Sequence, residues 1–207
     1  NLSLNSLSVS DVTALVEDLK APDSRIKELD LSCTHLRADS IELITSSVIG
    51  SKAPLTLERL KLDANGLSVQ SSTSILKALE SNTFLKSLGL GRSELHRKDF
   101  TGTFSACAAL SSCLRENKSL TSLSLLGCSV GEHIWEPEFI SALQANPALS
   151  LRCVSLSGLE DRFTQHLNIL SLIPLLEEFS VSPPLEKYGD YLSFACSKPR
   201  IVKVTFE

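Results

Sequence analysis

The side chains best equipped for chemistry in this chain are six cysteines and four histidines, and their spacing argues against catalysis and metal binding. Cys33, Cys107, Cys113, Cys128, Cys153 and Cys196 form no CxxC pair and keep no metal-type spacing from a histidine. Their surroundings, such as SACAALSSCL and LLGCSV, are apolar, so reduced, buried thiols acting as small hydrophobes in a reducing compartment are expected. No glycine-rich phosphate loop, GxSxG elbow or HExxH helix occurs. The expectation is a non-enzymatic protein with no catalytic residues, metal or cofactor. The sequons at Asn1 (NLS) and Asn117 (NKS) are three-residue patterns that arise often by chance.

What remains is recognition chemistry. A net charge of −4 speaks against nucleic acid, whose affinity depends on lysine and arginine displacing counterions. No stretch approaches the roughly 20 apolar residues of a membrane-spanning helix, and the start lacks the basic and apolar regions of a signal peptide. An intracellular, cytoplasmic location, or delivery into a host cytoplasm, is expected. The candidates for binding a protein partner are His35, Glu58, Arg59, Lys61, Asp63, Lys86, Arg92, Glu94 and the lone tryptophan, Trp135.

These residues are interpretable only through the elements that carry them. The stretch LERLKLDANGL puts leucines at 57, 60, 62 and 67 and an asparagine at Asn65, the pattern L-x-x-L-x-L-x-x-(N/C/T/S)-x-(L/V). The same template fits IKELDLSCTHL, LKSLGLGRSEL and LTSLSLLGCSV, with Thr34, Ser93 and Cys128 in the polar slot. Weaker copies start at Leu2 (with Leu4 and Val9), Leu151, Leu176 and Ile201, so the second apolar slots are Leu2, Leu29, Leu60, Leu88, Leu123, Val154, Phe179 and Val204, with a period of roughly 29. Between the copies lie helical patterns. SDVTALVEDLKA is expected to be capped by Ser10 or Asp11 and DSIELITSSVIG by Asp39 or Ser40, while three later helices close on Asn82, Asn117 and Asn146. Each unit is a short strand, a turn, and a helix that returns antiparallel to the strand.

This resembles the leucine-rich-repeat family, in its ribonuclease-inhibitor-like class, over essentially the whole chain. The resemblance implies an α/β solenoid of about eight units, with a parallel β-sheet on the concave face and α-helices on the convex face. The last units depart from the pattern, since Leu159 and Pro184 take the polar slot and the final unit is only a strand; they are expected to be irregular. Strands pack about 4.8 Å apart and helices about 8–10 Å, so such a stack must curve. Asn65 is expected to point into the bend and satisfy backbone groups that neither sheet nor helix can pair. With 207 residues, 43% of them hydrophobic, residues 1–207 suffice for a single repeat domain. The chain begins one residue before its first slot and stops within its last strand, as expected of an arc cut from a longer protein or covered at its ends by a partner.

Function should then reside on the concave face and the long rim loops. Lys27, Glu28 and Asp30 join the charged candidates in a mixed-charge band. Later positions are small: Gly89, Ser122, Ser124, Ser155, Ser157, Ser180 and Ser182. Such residues leave room for a bulky partner element, while the charges set its register. The two long units add the loops His96–Phe104 and Gly131–Ile140, where Trp135 is a candidate anchor. From Gly131 to Asp190 acids outnumber bases, favouring a basic partner. The leading expectation is a protein–protein interaction scaffold. An alternative is a GTPase-activating or other effector activity, because Ran GTPase-activating proteins of this repeat class use an exposed loop arginine, here Arg92 or Arg97; the surrounding residues match no such motif. A second alternative is a structural spacer between flanking domains.

Overall fold

A computed structural model describes residues 1–52, 55–95, 98, 101, 103, 105–128, 137–156, 167, 170–181 and 185–206. Among the described residues, seven strands form one sheet in sequence order: β1 (Glu28–Asp30), β2 (Arg59–Lys61), β3 (Ser87–Gly89), β4 (Ser122–Leu125), β5 (Cys153–Leu156), β6 (Glu178–Val181) and β7 (Lys203–Phe206). All neighbours are parallel, and the second apolar slots align across the sheet from Leu29 through Leu60, Leu88, Leu123, Val154 and Phe179 to Val204. The repeat spacing in the sequence is therefore the sheet register. The strands of the last units keep that register, and the polar slots held by Leu159 and Pro184 lie outside the described residues.

Helices α1 (Val9–Lys20), α2 (Ala38–Ile44), α3 (Val69–Glu80), α4 (Ser105–Glu116), α5 (Pro137–Ala145) and α6 (Tyr188–Ser197) supply the other layer. Their apolar stripes, for example Val12, Val16 and Leu19 or Ile75, Leu76 and Leu79, meet the inward leucines of the strands in one continuous core. Two cap assignments are corrected. Ser8, not Ser10 or Asp11, caps α1, with Asp11 returning the bond to the Ser8 N–H in a capping box. For α2 the N-cap is Arg37, with no side-chain hydrogen bond; Asp39 falls in the first turn and the Ser40 hydroxyl is buried without a partner. A π-helical turn, Thr45–Ile49, continues α2.

The opening residues also need a corrected register. Leu2 N–H donates to the Asp30 carbonyl and Leu4 N–H to Ser32, as Leu31 and Cys33 do to Lys61 and Asp63 one unit later. Leu2 therefore matches Leu31 rather than Leu29. Leu4 is not an apolar slot: it is 82% exposed, and Asn5 fills the polar slot, donating to the Leu2 carbonyl.

The position after each early strand explains the turn. Leu4, Cys33, Ala64, Arg92 and Gly127 all have φ between 55° and 68°. In that left-handed conformation the N–H of Cys33, Ala64 and Arg92 still reaches the next strand's chain, at Asp63, Gly91 and Leu126, while the chain itself turns toward the helix layer. Only Gly127 takes this shape without the Cβ penalty of roughly 1–2 kcal/mol.

The polar slots behave as the sequence argues, with one exception. Asn65 Nδ2 donates to the carbonyls of Leu31 (2.8 Å) and Leu62 (3.0 Å), and its Oδ1 accepts from the Thr34 and Leu36 N–H groups. Thr34 Oγ1 donates to the Leu31 carbonyl and Cys128 Sγ to that of Leu90. Ser93 is buried, yet its hydroxyl finds no partner. A second ladder closes the helix ends: Asn82 donates to Ile49, Asn117 to Leu79 and Asn82, and Asn146 to Leu114 and Asn117, all through carbonyls. Asn117 is thus 2% exposed and unavailable as a glycosylation acceptor. All six cysteines are free, but only Cys107, Cys113 and Cys128 are buried; Cys33 and Cys153 are half-buried and Cys196 is exposed. Burial pushes the Cys107 and Cys128 thiols up to about 11 and Cys113 to about 12.

Candidate protein-interaction face

Strand alternation turns every second residue away from the core. The out-facing positions fall into two rows across the sheet, one from Glu28 through Arg59, Ser87, Ser122, Cys153 and Glu178 to Lys203, the other from Asp30 through Lys61, Gly89, Ser124, Ser155 and Ser180 to Thr205. Ahead of them, at the strand starts, Lys27, Glu58, Lys86, Thr121, Arg152 and Glu177 form a rim, each carbonyl taking two N–H groups from the next unit.

The charges on this face pair with one another. Arg59 sits 3.6 Å from Glu28, Lys61 3.6 Å from Asp30, and Lys86 3.1 Å from Glu58. At the other end Lys203 lies 3.2 Å from Glu178, and Arg152 hydrogen-bonds Glu177. Burial works against the charge on Asp30, but hydrogen bonds from Ser32 and the Lys61 ammonium outweigh it and hold the carboxyl below its usual range. At Glu58 the Lys86 hydrogen bond is the main cause of a similar lowering, with Lys27 and Arg59 adding to it. Exposed, solvent-screened pairs of this kind add little stability, so their principal effect is to cancel local charge and favour one register.

Asp63 has a different role from the rest of the band. Its Oδ1 accepts the Gly91 N–H at 2.7 Å, and a Cβ on Gly89 would lie 2.2 Å from Oδ2. The carboxylate lies over β3, and glycine at 89 and 91 is what makes room for it. Arg92 is exposed, with its stem across Gly127; His35 is exposed in the turn after β1, and Glu94 is half-buried beyond β3. Between the two paired blocks runs a neutral strip in which Ser122, Ser124, Ser155 and Ser180 are half-buried.

Of the expected binding residues, the structure places Glu58, Arg59, Lys61, Asp63 and Lys86 on or beside β2 and β3, and His35, Arg92 and Glu94 on the turns beyond the strands. Sequence reasoning missed the pairing, because each partner lies a full repeat away. Trp135, His96, Arg97, Ser157 and Ser182 lie outside the described residues, as do Glu132, Glu136, Glu160, Asp161 and Arg162 of the acidic run. Of the described members, Glu177, Glu178 and Asp190 face Arg152, Lys203 and Lys187. Among the described residues no cluster of His, Cys, Asp and Glu could hold a metal ion, and no helix is long and apolar enough to cross a membrane.

Comparison with known proteins matches this architecture. No protein-family model matches the chain. Human NACHT, LRR and PYD domains-containing protein 13 is 33% identical over 128 residues, which is 61% of this chain but 11% of that protein. Among solved structures, the tropomodulin C-terminal domain of Caenorhabditis elegans superimposes with a TM-score of 0.60 over 91% of this chain and 99% of that one, at 15% identity. The Actin-Binding Site 2 of leiomodin-1 does so with a TM-score of 0.57 over 82% and 90%, at 14% identity. The in-register parallel strands, the polar-slot ladder and these likenesses agree on the fold: the chain is built as a leucine-rich-repeat arc.

Proposed function

We propose that the chain is a non-catalytic protein-interaction arc, acting inside a cell, which binds a folded protein partner through the outer rows of β1–β7. The observation that carries the reading is a continuous sheet face whose side chains are polar and in register, with charges neutralised pairwise at both ends and small hydroxyl residues between them. Such a face excludes a strongly charged ligand from its centre and accepts a convex, polar protein surface. The charged blocks then fix the partner's position, since a misplaced partner leaves Arg59 or Lys61 facing the wrong sign. Actin is a reasonable first probe because one structural neighbour is an actin-binding site by name, although likeness at 14% identity supports the fold alone.

The test is quantitative capture of binding proteins, actin included, by the 207-residue chain and by its Arg59→Glu/Lys61→Glu variant, with circular dichroism confirming that both are folded. A binding arc loses at least about tenfold in affinity for its partner, the equivalent of one misplaced charge pair. A spacer loses nothing, and neither does an arc that binds elsewhere; that outcome removes the concave face from consideration.

A further inference from the structure

The asparagine ladder at the helix ends stops before the last two strands. Three residues ahead of a strand's leading apolar residue stand Asn82 (before Leu85) and Asn117 (before Leu120); the same position holds Ile173 before Leu176 and Lys198 before Ile201. The turn there is closed by the backbone instead, with Leu176 N–H donating to the Ile173 carbonyl and Ile201 N–H to that of Lys198, as Leu149 N–H does to Asn146, whereas Leu85 and Leu120 N–H donate to the Asn82 and Asn117 side chains. By the pattern of Asn117, which donates to Leu79 and Asn82, an asparagine at 198 would reach the carbonyls of Leu170 and Ile173. Lys198 instead directs its ammonium over the Phe194 ring, 5.6 Å from its centroid.

The corner that asparagine fills elsewhere is here a cavity of about 180 Å3. Leu170, Ile173, Leu176, Phe194 and Ile201 make its apolar walls, and Lys198 and Arg200 line it with positive charge. Among the described residues no carboxylate lines it and neither cation meets one within ion-pair distance; Arg200 makes one bond, to the Pro174 carbonyl at 3.3 Å. An apolar cavity of side-chain size, two cations in its lining, and the Leu170 and Ile173 carbonyls, which each accept a backbone N–H but lack the ladder's side-chain donor, define the ligand chemistry.

We propose that this corner binds the C-terminal residue of a partner polypeptide: an apolar side chain in the cavity, its free carboxylate on Lys198 and Arg200, and its amide N–H toward the Leu170 and Ile173 carbonyls. The site uses no residue of the concave face, so it stands or falls independently of that reading. Each charge-assisted bond of this kind is worth enough to change affinity about tenfold or more.

The probe is acetyl-Gly-Ser-Gly-Leu as the free acid, titrated into the whole chain carrying labelled methyl groups, beside the same peptide as its C-terminal amide. The free acid should shift the methyl signals of Leu170, Ile173 and Ile201. The amide, and the acid against Arg200→Gln, should each bind at least about tenfold more weakly. Lys198→Asn, which restores the ladder donor and closes the corner, should abolish the shifts while keeping the protein folded. Equal binding of acid and amide, octanoate binding as tightly as the peptide, shifts confined to other methyl groups, or no saturable shift at millimolar peptide each overturn the proposal.

Discussion

Asn117 offers the sharpest test of what holds the stack together. Its Nδ2 donates to the Leu79 carbonyl at 2.7 Å and the Asn82 carbonyl at 3.1 Å, and its Oδ1 accepts from Leu120 N–H at 2.8 Å and Ser119 N–H at 3.0 Å. Removing the side chain does not orphan these groups equally. The Leu79 carbonyl keeps the Asn82 N–H and the Asn82 carbonyl keeps the Ser119 hydroxyl. The Leu120 N–H, in a residue 1% exposed, has nothing else. An unsatisfied buried donor costs about 1–3 kcal/mol and the half-buried Ser119 N–H about 1, so Asn117→Ala should destabilise the chain by about 3 kcal/mol. Asn117→Asp keeps the acceptor but faces two carbonyls with a carboxylate oxygen. Its folded-state pKa must then lie above the unfolded value of about 3.9, so the folded form binds more protons and stability rises as pH falls from 7 toward that value. Urea unfolding at pH 7 and pH 5, with hydrogen exchange at Leu120 to localise the effect, measures both. A cost below about 1 kcal/mol for the alanine variant, or no pH dependence in the aspartate variant, would refute the ladder as a structural device.

Other expectations follow from single observations. Ala64→Gly relieves a left-handed alanine at φ 56° and should stabilise by up to about 1 kcal/mol, read as a higher urea midpoint. Gly89→Ser drives a Cβ into the Asp63 carboxylate and should destabilise by about 1–3 kcal/mol, with Asp63→Ala in the same chain recovering much of it; additive losses would mean that the two positions do not touch. Hydrogen bonds from Ser8, first its side chain and then its backbone, hold Asp11 below the usual carboxylate range, so the capping box is intact above the unfolded pKa and lost as pH falls through the folded one. Asp11→Asn should remove that acid-side loss of α1 helicity, followed by circular dichroism. A thiol reagent at pH 8 should modify exposed Cys196 first and leave Cys107, Cys113 and Cys128 untouched until the protein unfolds.

The architecture was legible because a leucine-rich unit repeats its constraints: Leu29, Leu60 and Leu88 recur at one slot, and that slot is the register of the sheet. Asn65 could be read as scaffold because its place in the template faces the bend, and its donors and acceptors are used there. Local signals carried less. The true cap of α1 is Ser8, two residues ahead of the expected Ser10, and α2 follows an arginine N-cap whose side chain caps nothing. Leu2 and Leu4 look like paired apolar slots, but the hydrogen bonds to Asp30 and Ser32 shift the first unit by two residues and leave Leu4 in a left-handed turn. Pairing on the concave face was invisible for a geometric reason. Glu28 and Arg59 are neighbours only once two strands a repeat apart are in register, and no window along the chain contains both.

That same dependence on register explains where binding chemistry can arise in such a molecule. A buried slot filled by asparagine satisfies its neighbours' backbone and leaves nothing over for a ligand, as Asn82, Asn117 and Asn146 show. A face slot filled by a charge is cancelled by the slot beside it, as Lys61 cancels Asp30. Chemistry becomes available where the occupant of a slot changes. On the sheet this happens from β3 to β5, where serine, with Gly89 and Cys153, replaces the charged residues. At the helix ends it happens where Ile173 and Lys198 replace asparagine, opening a cavity. The first change removes charge from the middle of a polar face and the second adds uncompensated charge beside an apolar hollow, so the two sites should differ in salt response. Binding at the serine strip should hold its affinity as ionic strength rises, whereas binding at Lys198 and Arg200 should weaken steadily, because dissolved ions screen the attraction between these exposed cations and an approaching carboxylate. A partner whose affinity for the concave centre falls with salt as steeply as a carboxylate's for the corner would show that the pairing across β1 and β2 does not neutralise that face.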